Sequence, residues 1–88
     1  MGKLKNIGPT MTEWLHEIGI HTKADLEDLG AAMAYKMLKH RRPKDVNILA
    51  LYALQGAIMD VHWNALPPEV KDRLKRDAQE PLHVSPGP

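Results

Sequence analysis

Side chains able to attack, ligate or relay protons are few in this chain, and their spacing is uninformative. Ser85 is the only serine and cysteine is absent, so acyl transfer has no candidate nucleophile outside a proline-rich end. The five histidines, His16, His21, His40, His62 and His83, show neither the i, i+4 pairing of a helical zinc site nor companion thiolates. Glu13 and Glu17 share a helix face at i, i+4, yet they sit among surface positions with no pocket to raise a carboxyl pKa, and they read as solvated. Glycines are scattered singly, which leaves no phosphate-cradling loop and no dinucleotide fingerprint. The expectation is a chain that binds rather than catalyses, with no cofactor and no metal.

Charge placement says more than charge sum. Net charge is +1, but Glu13 to Asp28 carries five acids and one base, whereas Lys36, Lys39, Arg41, Arg42 and Lys44 follow with no acid among them. Clustered cations are the usual footprint of a phosphate-contacting corner. They are also, and more commonly, the composition of a solvated linker, and here only Tyr35 stands near as an aromatic that could stack on a base. His62 and Trp63 fall at a helix end, where an imidazolium would meet the carbonyl dipole and an indole would cover the core. The alternative for Trp63 is an anchor for a partner. Trp14 is expected in the core.

A frame of short helices must position these groups. Gly8-Pro9 reads as a cap followed by proline at the first helical position, and Met11, Trp14, Leu15 and Ile18 then form one apolar face. Gly19 and Ile20 fit a left-handed helix ending with its hydrophobic fold-back. Thr22 to Asp25 resembles a capping box ahead of Leu26 and Leu29. Gly30 breaks that helix, Ala34, Tyr35 and Leu38 give the face of a third, and Pro43 closes the region. The strongest pattern starts from an Asp45 cap: Val46, Leu49, Ala50, Ala53, Leu54, Ala57, Ile58 and Val61 form one stripe, with Ile48, Leu51, Tyr52 and Met59 beside it. Only Asn47, Gln55, Gly56 and Asp60 are left for water, so this helix should be central or shared. Leu66-Pro67-Pro68-Glu69 starts a fifth helix with Val70, Leu74 and Ala78 on its buried face.

The fold class expected is therefore all-α, a five-helix bundle of the helix-hairpin-helix or SAM-like type. A single domain over residues 1–79 is followed by a disordered tail, 80–88, rich in proline. The longest apolar run, Ile48 to Leu54, is far short of the roughly 20 residues a membrane span needs, and Met1 to Lys5 lead straight into patterned sequence. No membrane association and a cytoplasmic location are expected.

Leu4-Lys5-Asn6-Ile7-Gly8-Pro9, with Leu15, Gly19-Ile20, Thr22 and Asp25-Leu26, resembles the helix-hairpin-helix unit of DNA repair and replication proteins, placed here at residues 4–29. That resemblance implies that Ile7, Gly8 and the first helical turn present N–H groups to a phosphate. Asn6 stands where a first glycine is usual, and Thr10 or Met11 where a basic residue often meets the phosphate. A longer resemblance, to the C-terminal domain family of the competence regulator TfoX (Sxy), rests on these residues together with Leu29-Gly30, Ala34-Tyr35, Leu51 to Ala57, and His62-Trp63 leading into Leu66 to Glu69. It implies an all-helical domain associated with transcriptional control of bacterial DNA uptake, without enzymatic activity.

Two binding readings follow. In the first, Lys3, Lys5, Asn6, Ile7, Gly8, Thr10, Lys39, Arg41, Arg42 and Lys44 make weak, non-specific contact with DNA. In the second, Ile48, Leu51, Tyr52, Met59 and Trp63 form an apolar interface with a regulatory protein or a second copy of the chain.

Overall fold

A computed structural model describes residues 4–79. Lys3 and the tail expected over 80–88 lie outside the described residues. Five α-helices run in order: α1 (Pro9–Glu17), α2 (Lys23–Leu29), α3 (Ala31–Arg41), α4 (Ile48–Met59) and α5 (Pro68–Gln79), with a 3-10 turn at Trp63–Ala65. No strand occurs among the described residues, and none of their helices is long and apolar enough to cross a membrane.

The first two helices are set by local hydrogen bonds, as their sequence implies. Gly8 caps α1 in extended conformation with Pro9 directly inside. At its end Gly19 takes φ +87°, Ile20 N–H donates to the Leu15 carbonyl at 2.9 Å, and the Ile20 side chain folds into the core at 2% exposure. The α2 capping box is complete: Asp25 N–H donates to Thr22 Oγ1 at 3.0 Å and Thr22 N–H to the Asp25 carboxylate at 3.1 Å. The His21 N–H adds a second bond to that carboxylate at 2.9 Å, and this donor above all holds the Asp25 pKa below its ordinary value of 3.8.

A depressed pKa makes a carboxylate stabilising above its unfolded-state value and progressively less so as pH falls toward the folded-state value. The α2 cap is therefore intact at neutral pH and is lost only below the ordinary aspartate range. Acid titration followed by circular dichroism should show Asp25→Asn less stable than the parent at neutral pH, with the difference shrinking below about pH 4. A gap that persists unchanged to pH 2 would contradict this assignment.

α4 is the axis, touching α2, α3, α5 and the 3-10 turn and burying Ala50 to Leu54, Gly56 and Ala57. Two expectations about it are corrected. The cap is Asn47, whose side chain accepts from Leu49 N–H at 2.9 Å. Asp45 instead belongs to a turn in which the N–H groups of Asp45 and Val46 both donate to the Arg42 carbonyl, so Val46 is buried as a plug ahead of the helix. The apolar stripes are also covered incompletely, with exposed members at both ends of the helix. Ile48 and Leu49 in the first turn are 38% and 49% exposed, and Met59 in the last is 42% exposed. In the middle, α2, α3 and α5 pack around α4, and Lys71 Nζ of α5 lies 5.5 Å from the Tyr52 ring centroid.

Candidate functional site

The first turn, Leu4 to Ile7, is closed by Ile7 N–H donating to the Leu4 carbonyl at 3.1 Å. Asn6 occupies the left-handed region at φ +69°, which asparagine tolerates better than most residues. Its amide then does something glycine could not. Nδ2 donates to the Val61 carbonyl at 2.9 Å while Oδ1 accepts from Trp63 N–H at 3.2 Å, so one side chain latches the first turn to the segment between α4 and the 3-10 turn.

The latch depends on Gly56, which is buried rather than facing water as its sequence position suggested. A Cβ at Gly56 would press on the Asn6 amide nitrogen and stand 2.7 Å from the Val61 carbonyl oxygen. The signal was present in the sequence: a glycine inside the most apolar helix gives up about 1 kcal/mol against alanine and needs a packing reason.

Beside this latch Lys5, Gly8 and Thr10 are exposed, and Ile7 packs on the core. Gly8 offers no side-chain cap and Pro9 has no N–H, so the N–H groups of Thr10 and Met11 face outward at the start of α1.

The expected basic corner does not assemble. Lys39 Nζ donates to the Pro43 and Val46 carbonyls at 2.9 and 2.6 Å. Arg42 Nη2 donates to both carboxylate oxygens of Glu17 at 2.9 and 2.7 Å, and Arg41 Nε stands 3.6 Å from the same carboxylate. The Arg42 guanidinium also lies 5.2 Å from the Trp14 ring centroid. Glu17 is thus a clamp rather than a solvated bystander, Trp14 is half-buried beneath Arg42 and packs against the edge of the core, and Lys39 and Arg42 are spent on holding the 42–46 turn and α1 to the end of α3, with the half-exposed Arg41 beside them. Lys44 remains exposed. The clamp sits at the far end of α1 from Lys5 and Gly8, nine residues and about 13 Å of helix rise away. The residues proposed for DNA contact therefore fall into two separate places.

The expected apolar interface is corrected as well. Leu51 and Tyr52 are buried at 0% and 7% exposure, which leaves Ile48 and Met59 as isolated ends of one stripe about 16 Å apart along the helix. Trp63 is half-buried with its ring stacked on His62 at 5.7 Å between centroids. His62 Nδ1 accepts from Asn64 N–H at 3.1 Å, so it caps the 3-10 turn that follows instead of meeting the carbonyls of α4.

A concave surface lies elsewhere, where sequence reading did not place one. The start of α3 and the side of α5 bound an open cleft of about 510 Å³, with Met33, Val70 and Leu74 giving apolar lining and Lys36 and Arg73 giving cations. Leu29 forms its lip. On the other side of Leu29 is a shallower depression of about 320 Å³ that includes Asp25 and Asp28. The clue in the sequence was the i, i+3, i+4 spacing of Val70, Arg73 and Leu74, which puts a cation beside the apolar face of α5.

The family described as the TfoX C-terminal domain matches residues 1–78. Two solved structures from Listeria monocytogenes are similar throughout. One, an uncharacterised protein in a triclinic crystal form, is 32% identical with a TM-score of 0.80, over 88% of this chain and 86% of that one. The other, a protein of unknown function in a tetragonal form, is also 32% identical with a TM-score of 0.80, over 90% of this chain and 96% of that one. No curated protein matches the chain.

Proposed function

The chain belongs to the TfoX C-terminal domain family, and from that premise we propose that it is a non-enzymatic cytoplasmic module in the control of transcription or DNA uptake, meeting DNA weakly through its first turn. The observation that carries this reading is the Asn6 latch, which holds the turn against Val61 and Trp63 and so fixes the direction of the α1 start, where no side chain caps the first N–H groups. A rigid helix start with outward N–H groups is suited to a phosphate, and exposed Lys5 supplies a cation beside it. With so few cations, contact involves one or two phosphates and carries no base readout.

Fluorescence-anisotropy titration of short duplex DNA at several salt concentrations tests the reading. Each phosphate neutralised contributes a slope of about −0.9 in log affinity against log salt, so a slope between about −1 and −2 is expected. Lys5→Glu should abolish saturable binding at low salt, whereas Lys44→Glu should leave it nearly unchanged. Absence of low-salt binding by the parent, or binding indifferent to Lys5→Glu, would overturn it. A second reading, contact with a protein, is favoured by the α3–α5 cleft, whose volume and mixed lining suit a binding surface.

A further inference from the structure

Leu29 ends α2 with 36% of its surface exposed, on the ridge between the acidic depression and the α3–α5 cleft. Across this ridge the surface passes from carboxylate through apolar to cationic. Asp25 is committed to the α2 capping box, so Asp28 is the acid available on one side. On the other side Lys36 and Arg73 border the cleft with Asp77 one turn further along α5, two cations against one carboxylate. Among the described residues, Asp28, Lys36 and Arg73 make no ion pair.

A surface ordered in this way is complementary to itself after a half-turn, the requirement of a symmetric two-fold interface. We propose that two copies of this chain associate through the α3–α5 clefts, the Asp28-Leu29 corner of each seating in the cleft of the other. Leu29 would then meet the apolar lining at Met33, Val70 and Leu74, and the Asp28 carboxylate would reach the Lys36 and Arg73 cations. A second copy fits better than DNA, because the acidic half would repel phosphates. It also fits better than an acidic peptide, which could fill the cleft but would leave Leu29 and Asp28 uncovered. An 88-residue chain has modest surface burial of its own, so covering this patch adds what a small core lacks. The proposal concerns a different surface from the first turn and stands independently of DNA contact.

Sedimentation velocity on the full chain from micromolar to several hundred micromolar tests it. A concentration-dependent rise toward twice the 9.9 kDa chain mass is expected. Leu29→Asp should weaken association at least tenfold with an unchanged circular dichroism spectrum. Asp28→Arg should weaken it similarly, and Arg73→Glu in the same chain should restore it, because the exchanged pair again faces opposite charge across the two-fold axis. A monomer at every concentration, association that survives Leu29→Asp, or a failure of the charge exchange to restore it would each overturn the proposal. Selective binding of an acidic peptide by a chain that stays monomeric would assign the cleft to another partner and overturn it too.

Discussion

Gly56→Ala is expected to lower stability by about 2 kcal/mol, against the rule that alanine is the better helix former. Helix propensity alone would favour the substitution by about 1 kcal/mol. Against it stands the new methyl group, which meets the Asn6 amide on one side and the Val61 carbonyl at 2.7 Å on another. The carbonyl is backbone and cannot rotate away, and overfilling a packed site of this kind costs about 1–3 kcal/mol. If the Asn6 amide moves instead, its two hydrogen bonds go with it, at about 1 kcal/mol each. In a domain this small, 2 kcal/mol corresponds to a fall in Tm of roughly 10 °C. Asn6→Gly keeps a residue that tolerates the left-handed φ but deletes the amide, which isolates the latch. Because both substitutions act on one contact, the double variant should be destabilised by less than the sum of the two. Urea melts of the three variants check this, and a Gly56→Ala variant as stable as the parent would show that the close approach is not needed.

Leu51→Ala is expected to cost about 2–5 kcal/mol, the usual range for emptying a buried leucine site, whereas Leu49→Ala should cost less than about 0.5 kcal/mol. Both are leucines in the same helix, two positions apart, and the periodicity that made Leu49 part of the buried stripe put Leu51 on the partner-facing one. The structure reverses their standing, with Leu51 at 0% exposure and Leu49 at 49%. Total stability for a chain of this size is about 4–13 kcal/mol, so the Leu51 variant loses a large share of it. Comparable losses at the two positions by chemical denaturation would mean that α4 is rotated from the orientation described.

These two cases mark where sequence reading stops. The punctuation of α1 and the capping box of α2 were legible because the groups involved lie within five residues of each other, and their chemistry is complete inside the segment. The bundle was legible from apolar period and from family resemblance. What neutralises the basic run was not legible because the partner is distant: Arg42 finds Glu17 across 25 residues, and nothing local announces that pairing. In α4 seven of the eight positions from Ala50 to Ala57 are buried, so burial follows position along the helix rather than one face, and periodicity cannot rank faces when nearly every face is apolar. Asn6 was read as a departure from a glycine pattern. Its role became visible only when the Val61 carbonyl and the Trp63 N–H came within reach of it.

The latch also bears on the order and timing of folding. It joins positions 55 and 57 residues apart in sequence, a closure with a high entropic cost, and we expect it to form after α4 and the turn beyond it. A contact absent from the transition state shows its loss mainly in the rate of opening. The stability missing from Gly56→Ala should accordingly be found in faster unfolding, with the refolding rate within about twofold of the parent. Asn6 then acts as a brake on the first opening of the fold, a short clasp that sets how long the native state lasts once it has formed.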